Sequence, residues 1–339
     1  MTTSGGEQTT RGSERMRAVV ATTYGSPDVL RVDEVTKPTP ADDEVLVRVR
    51  ATVVGPPDAA AREGTPLPIR LFSGLRRPTA VPGDVFAGDV EAVGRNVARF
   101  APGEAVFGTL APGSGAHAEY LCLPEDGAVA LVPSALTYSD AAAVCDGGLT
   151  AMAFLTDHAQ LRAGESILIN GASGSVGTAA VQLASELGAT VTGVCSTANV
   201  ELVRSLGAET VVDYTHTDFT TTGETYDVVF DAVGKRSYAA CRDSLAAGGR
   251  YLTTVPSLGI LRQMVQSRLV GDRRAVFAAT GLSSTSTKRA HLVALRDFVE
   301  AGAFRPVVDR EYALDDVADA HRYVDTGHKV GSVVVTVGS

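Results

Sequence analysis

The sequence contains no tryptophan, and aromatic residues make up only 6% of its 339 positions. Proteins that bind single-stranded nucleic acid stack the bases on aromatic side chains, so this composition argues against such a surface. Basic residues are also in the minority, with 30 lysines and arginines against 39 acidic residues and a net charge of −9. We therefore expect no nucleic-acid partner, although a local pocket for a phosphorylated cofactor is compatible with this balance.

Cysteine is scarce as well, and Cys122, Cys145, Cys195 and Cys241 lie far apart without a C-x-x-C pair. This spacing favours neither a zinc knot nor a disulfide framework, and a cytoplasmic location fits it best. Long apolar runs are missing too, since none reaches the roughly 18 residues of a membrane span. The polar residues 1–15 lack the apolar segment of a signal peptide, and we expect them to form a flexible leader.

The pattern of apolar and turn residues along the chain changes near residue 138. Before it, short apolar runs alternate with glycine and proline turns, which predicts a β-rich domain. Helices are predicted at 139–143 and 149–158, and from residue 165 strands alternate with helices as in a parallel sheet. Six strands of that sheet are predicted at 166–170, 190–195, 209–213, 226–231, 249–255 and 275–280, with a crossover helix at 238–245.

The tail beyond residue 302 reads as mixed strands and helix, and we expect it to return to the first domain. The predicted division is therefore a flexible leader at 1–15, one domain made of 16–138 and 303–339, and a second domain at 139–302.

A glycine-rich turn lies where the first predicted strand of the parallel sheet passes into a helix. Glycines at this point let backbone N–H groups approach a pyrophosphate at the positive end of the helix. The alternative is a tight strand-to-helix turn that binds nothing. We expect cofactor contacts from Gly171, Ser173, Gly174, Ser175, Val176 and Gly177.

The choice between NADP and NAD is made after the second strand of such a sheet, where an acidic residue would accept a hydrogen bond from the ribose 2′-hydroxyl. Residues 195–199 contain no carboxylate, and Ser196 and Thr197 can donate to a 2′-phosphate. No basic residue lies in this stretch, and Arg204 is the nearest one downstream. The same hydroxyls could instead cap a helix at 199–206. We predict NADPH as the cofactor, with NADH less favoured.

The sequence resembles the medium-chain dehydrogenase/reductase superfamily, in its zinc-free quinone oxidoreductase-like branch, over residues 17–337. The segments that carry the resemblance are 82–88, 91–94, 102–108, 148–151, 170–177, 226–234 and 248–251. The resemblance implies an α/β fold with a GroES-like β-barrel domain and an inserted Rossmann domain, a doubly wound parallel sheet. It also implies further cofactor contacts at Tyr214, Val233 and Gly234, and a cleft in which NADPH meets a small electrophilic carbonyl compound.

A homodimer is also implied by the resemblance. The segment 258–270 is apolar with interspersed basic residues and reads as an amphipathic insertion. It could lie at the dimer interface or cover the substrate cleft, and a helix that binds a membrane surface is the third interpretation. Because the chain is acidic, we expect no membrane partner.

Zinc-dependent members of this superfamily hold a catalytic metal with cysteine and histidine, and the resemblance places Gly55, Asp84 and Asp146 at those positions. Two carboxylates without imidazole or thiolate make a poor zinc site, so we expect no metal. If Asp84 and Asp146 face each other, their repulsion raises one pKa, and that group can act as a general acid. Alternatively, Asp84 caps a turn and Asp146 caps a helix beginning near Gly148. Asp58 is expected to bind backbone.

These observations predict an NADPH-dependent, zinc-independent oxidoreductase that reduces an enone, a quinone or a related activated carbonyl by hydride transfer. A second hypothesis is a non-redox cyclase or lyase that uses the two aspartates as acid and base. It is motivated by Gly55 and Ala60, where relatives of the zinc-free branch often carry asparagine and tyrosine. A nucleotide-sensing protein without turnover is a third.

Overall fold

The computed structural model of the chain describes residues 14–78, 81–111, 115–269 and 271–338. The predicted leader lies outside these ranges except for Glu14 and Arg15, and Arg15 already begins the first strand.

Seven strands and two short helices form the first part of the described chain. The strands are β1 (Arg15–Ala21), β2 (Leu30–Thr36), β3 (Glu44–Val54), β4 (Val85–Val93), β5 (Ala105–Thr109), β6 (Tyr120–Pro124) and β7 (Ala128–Leu131), and α1 (Pro56–Glu63) and α2 (Arg70–Ser73) follow β3.

Strands and helices alternate in the second part, and the tail adds two strands and a helix. In order they are α3 (Tyr138–Met152), β8 (Ser166–Asn170), α4 (Ser175–Glu186), β9 (Thr190–Cys195), α5 (Val200–Ser205), β10 (Thr210–Asp213), β11 (Tyr226–Asp231), α6 (Tyr238–Cys241), β12 (Leu245–Thr253), α7 (Leu258–Leu269), β13 (Arg274–Phe277), α8 (Thr285–Glu300), β14 (Val308–Ala313), α9 (Val317–Asp325) and β15 (Ser332–Thr336).

The second part contains the parallel sheet that the alternation predicts. Its six strands lie in the order β10-β9-β8-β11-β12-β13, and every neighbouring pair is parallel. The strand order reverses between β8 and β11, and open α/β sheets bind their ligands in the crevice outside the carboxyl ends at such a point. The doubly wound sheet is thereby confirmed, and the glycine turn follows β8 at that crevice.

The tail joins the sheet of the first part. Strand β15 pairs antiparallel with β3, so that Val333 lies opposite Val54, and β14 extends the same sheet beyond β15. These pairings support the proposed division of the chain into 16–138 with 303–339, and 139–302. They also place the turn before β15 next to the glycine turn, where Gly331 and Gly174 form an isolated bridge.

The structure corrects two helix predictions. The helices predicted at 139–143 and 149–158 are one helix, α3, which continues as a π-helical turn at Ala153–His158. The pair Gly147 and Gly148 suggests a break in the helix, but both residues lie inside α3. Glycine is needed at 147 because a Cβ there would lie 2.1 Å from the carbonyl oxygen of Ser175. The helix predicted at 238–245 ends earlier, at Cys241. A 3₁₀ turn at Arg242–Ser244 follows it, and Leu245 begins β12.

We expect Gly147→Ala to lower the stability of the fold by roughly 1–3 kcal/mol, because the added methyl group overpacks the contact between α3 and α4. Gly259→Ala, within α7, is the matched control, since the atom nearest to a Cβ there is Oγ of Ser257 at 3.6 Å. Urea unfolding followed by circular dichroism measures both. Equal midpoints for wild type and Gly147→Ala would show that α3 and α4 can separate without cost.

Candidate active site

The three glycines of the turn after β8 have different roles. Gly171 has φ +80°, and a Cβ there would lie 2.0 Å from Cγ2 of Val233. A Cβ on Gly177 would lie 2.0 Å from the carbonyl oxygen of Gly171, so this glycine lets α4 pack onto the turn. At Gly174 the nearest atom is 3.6 Å away, which leaves the amino end of α4 open. An open helix amino end is where a pyrophosphate binds.

The serines of this turn contact residues from other parts of the chain. The carbonyl oxygen of Ser173 accepts the Gly331 N–H at 2.8 Å, and its Oγ accepts from Nδ2 of Asn199 at 3.1 Å. The Oγ of Ser175 accepts from Nζ of Lys329 at 3.0 Å. No local sequence pattern indicates Lys329, because 154 positions separate it from Ser175 along the chain.

The remaining predicted cofactor contacts lie at the same edge of the sheet. Val233 is 41% exposed beside Gly171, and Tyr214, directly after β10, is 56% exposed. The turn around Gly234 is held by the fully buried Asp231, whose carboxylate accepts the Val233, Gly234 and Arg236 amides at 2.9–3.2 Å. Asp231 is a positioning residue that the sequence patterns did not reveal.

The corner that would hold the adenosine ribose differs from the sequence-based expectation. The Thr197 hydroxyl donates to the Asp213 carboxylate at 2.5 Å, and that hydrogen bond, with those from Thr215, lowers the pKa of Asp213. Residues 195–199 contain no carboxylate of their own, but the structure brings one to this corner from outside that stretch. Parallel strands end at one edge, so β10 brings Asp213 next to the residues after β9. The Ser196 side chain makes no capping hydrogen bond, and the Thr197 hydroxyl binds Asp213 and Thr215 instead, so the alternative that these hydroxyls cap a helix is wrong.

Asp84 and Asp146, the predicted catalytic pair, belong to a cluster of three carboxyl groups. A Cβ built on Gly55 would lie 3.8 Å from Oδ1 of Asp146 and 3.8 Å from Oδ2 of Asp58. Asp58 and Asp84 line a cavity of about 180 Å³ whose other walls are mostly apolar. Asp58 binds the Gly55 N–H at 2.9 Å, as expected, but it also belongs to the cluster.

The electrostatics of this cluster favour protonated carboxyl groups. Burial raises the pKa of Asp84 to about 7, and the charges of Asp58 and Asp146 add to the shift. Burial likewise raises the pKa of Asp58 to about 7, with a contribution from Asp146. Asp146 lies within α3, where its Oδ2 accepts from Oγ of Ser332 at 2.8 Å, so it caps no helix. A neutral carboxyl group near pH 7 can donate a proton.

The groups around the cluster are structural. His117 donates from Nε2 to the Val53 carbonyl at 2.9 Å, and the ring packs against Gly83. Burial raises the pKa of the Cys145 thiol well above its usual value, which leaves a wall residue rather than a nucleophile. Lys288 binds the Gly281 carbonyl at 2.7 Å, and its charge partly offsets the raised pKa of Asp84.

The donor set does not fit zinc. Gly55 has no side chain that could bind a metal, and Asp84 and Asp146 offer only hard oxygen ligands. Asp84 also keeps its proton up to about pH 7, whereas a metal ligand must be deprotonated. Within the described ranges, no group of three or more histidine, cysteine or acidic side chains is arranged to hold a metal ion.

Comparison with known proteins identifies the family. Residues 41–134 match the alcohol dehydrogenase GroES-like domain model, and residues 206–335 match a zinc-binding dehydrogenase model. The chain is 31% identical to the quinone oxidoreductase of Homo sapiens over 327 residues, which cover 93% of this chain and 96% of that protein. The chain belongs to the medium-chain dehydrogenase/reductase family, in its quinone oxidoreductase-like branch. It is an oxidoreductase, and the predicted α/β fold with GroES-like and Rossmann domains is confirmed.

Two further relatives define the branch. A chloroplastic NADPH-dependent alkenal/one oxidoreductase of Arabidopsis thaliana is 31% identical over 341 residues, which cover 95% of this chain and 80% of that protein. The solved quinone oxidoreductase of Coxiella burnetii superposes with a TM-score of 0.85 at 27% identity, covering 96% of this chain and all of the other. Among the described helices of this chain, none has the length and apolar character needed to span a membrane.

The raised pKa values make stability depend on pH. In the folded protein Asp58 and Asp84 keep their protons up to about pH 7, whereas an unfolded aspartate loses its proton near pH 4. The contribution of Asp58 and Asp84 to stability is therefore lost as the pH rises from about 4 to about 7. We expect Asp84→Asn to gain roughly 1–3 kcal/mol relative to wild type at about pH 8, and less at about pH 5. Urea midpoints at both pH values measure this, with the exposed Asp243→Asn as control. A gain that is the same at both pH values would contradict the raised pKa.

We expect Asp213→Asn to strengthen binding of NADPH relative to NADH by roughly threefold to tenfold, because asparagine still accepts from Thr197 but removes a negative charge facing a 2′-phosphate. Asp272→Asn, before β13 at the amino edge of the sheet, is the matched control. Fluorescence titration with both dinucleotides measures the ratio of dissociation constants. An unchanged ratio in Asp213→Asn would place the 2′-phosphate elsewhere.

Proposed function

We propose that this protein is a metal-free, NADPH-dependent reductase that transfers hydride to an enone, a quinone or a related activated carbonyl compound. The observation that carries the proposal is the contact between α3 and the glycine turn, which brings Asp146 of the acidic cluster directly beside the amino end of α4. A cofactor on the turn and a substrate in the cavity would therefore meet at the cluster. Relatives named quinone oxidoreductase and alkenal/one oxidoreductase support this substrate class.

The bound dinucleotide would supply hydride to the β-carbon of the substrate, whose double-bond electrons then form an enolate. The residues of the chain position the partners and deliver the proton. The mostly apolar cavity wall excludes water from the enolate, and Ser332 holds Asp146 in place. The carboxyl group of Asp84 or Asp58 donates its proton to the α-carbon, and the resulting carboxylate takes a proton back from solvent. Hydride and proton together complete the saturation.

The proposed preference for NADPH over NADH is small. Ser196 and Thr197 follow β9 directly, which supports their proposed role as donors to a 2′-phosphate, and the Arabidopsis relative is named for NADPH. The ionised Asp213 faces the same corner, and Arg204, the nearest arginine downstream, pairs with Glu201 at 2.7 Å. The negative charge of Asp213 at this corner therefore opposes the binding of a 2′-phosphate, to which the hydroxyls could donate hydrogen bonds.

The proposed homodimer would form through the sheet of the second domain. Strand β13 is the last strand of that sheet, and α7, which precedes it, exposes Leu258, Val265 and Leu269. An open strand edge beside an apolar helix face favours association. The four cysteines are free thiols, which supports the proposed cytoplasmic location.

We expect the full chain to oxidise NADPH in the presence of simple enones or quinones, followed by the loss of near-ultraviolet absorbance of the reduced cofactor. Asp84→Asn is expected to lower kcat roughly a hundredfold with little effect on cofactor binding, because general acid catalysis typically contributes at least that factor. Asp243→Asn should leave the rate unchanged. NADPH that binds but is not oxidised by any compound of the panel would contradict the proposal and favour the non-redox alternative.

A further inference from the structure

Lys329 is a shielded cation beside the glycine turn. Its Nζ donates to Oγ of Ser175 at 3.0 Å and to the carbonyl oxygen of Gly331 at 2.7 Å. Burial lowers the pKa of Lys329, and the charges of Asp146 and Asp309 oppose that shift. The lysine belongs to the tail between α9 and β15, so it approaches the second domain from the first.

The partners of Lys329 leave its charge unbalanced. Both hydrogen-bond acceptors are neutral, and an ammonium group has three donors, so one donor remains after these two bonds. The two carboxylates that act on it are engaged elsewhere. Asp146 accepts from Ser332 at 2.8 Å, and Asp309 accepts from the Tyr323 hydroxyl and the Val330 amide, each at 2.7 Å. A shielded cation without an ion-pair partner is costly unless a ligand supplies the opposite charge.

The position of Lys329 is fixed by its neighbours. The amide of Gly331 donates to the carbonyl of Ser173 at 2.8 Å, which ties the tail to the glycine turn. Gly331 has φ +70°, and a Cβ there would lie 2.1 Å from the carbonyl oxygen of Val307, so only glycine fits. The ammonium group is therefore held at Ser175, the first residue of α4, where the helix amides have no partners within the helix.

We propose that Lys329 binds the pyrophosphate of the dinucleotide and supplies its principal counter-charge from the tail of the chain. The Lys329 ammonium group lies 3.0 Å from Oγ of Ser175, the residue after Gly174, where a Cβ would meet no atom closer than 3.6 Å. Two adjacent phosphates at this helix end would supply the negative charge that Lys329 lacks. This inference rests on the proposed function, because it requires a dinucleotide on the glycine turn. It makes cofactor binding depend on both domains.

The test compares Lys329→Met and Lys329→Gln with wild type for NADPH, NADH and ADP-ribose, using calorimetric titration of the full chain. ADP-ribose contains the pyrophosphate but no nicotinamide. We expect all three ligands to bind roughly tenfold to a hundredfold more weakly to both variants, and by similar factors. Lys37→Met is the matched control, since Lys37 pairs with Glu14 and lies over the Tyr120 ring, 4.0 Å from its centroid, and it should bind all three as wild type does.

Three results would overturn the inference. Affinities within about twofold of wild type for all three ligands would show that Lys329 does not contact the pyrophosphate. A loss confined to NADPH and NADH would place the lysine at the nicotinamide end, and a loss of kcat without a change in dissociation constants would make it a proton donor. If wild type binds none of the ligands, the proposed function fails together with this inference. If Lys329→Met does not fold, Lys329→Gln keeps a neutral donor and decides the question.

Discussion

The active site depends on the close approach of three segments that are far apart in sequence. Helix α3 meets the glycine turn at Gly147, where a Cβ would lie 2.1 Å from the carbonyl oxygen of Ser175. The tail before β15 meets the same turn where the Gly331 N–H donates to the carbonyl oxygen of Ser173 at 2.8 Å. Asp146 and Lys329 reach the glycine turn only because these segments approach so closely. Any added bulk there would move them together.

The second constraint is electrostatic. Asp58 and Asp84 line a mostly apolar cavity, and Asp146 lies close to both of them. Burial, together with repulsion among these carboxyl groups, raises the pKa of Asp58 and of Asp84 to about 7. The same burial and repulsion that cost stability at high pH keep a protonated carboxyl group available near neutral pH. Lys329 provides positive charge near Asp146, so the acidic cluster is followed by a cation at the amino end of α4.

Much of the fold follows from local sequence patterns. The strands of the parallel sheet were predicted to within a few residues because apolar runs bounded by turns are local signals, and the glycine turn follows β8 where a glycine-rich loop is expected. The division of α3 into two helices was wrong because paired glycines usually break a helix, whereas here Gly147 is required by packing against Ser175. That requirement comes from the tertiary structure.

The site was less predictable for the same reason. Asp84 and Asp146 could be paired only through a family resemblance, and Asp58 was assigned a backbone role that concealed its place in the cluster. Asp213 reaches the ribose corner from the neighbouring strand, and Lys329 reaches the turn from the far end of the chain. No pattern within a short window of sequence reports such long-range contacts.

The central claim is that a nicotinamide dinucleotide lies on the glycine turn and delivers hydride toward the acidic cluster without a metal. Transfer of deuterium from the C4 position of labelled NADPH to the reduced product, measured by mass spectrometry on chelator-treated protein, tests it most directly. The account predicts one deuterium per product molecule, at the β-carbon. Product without deuterium, or turnover that stops on chelation and returns with added zinc, would contradict it.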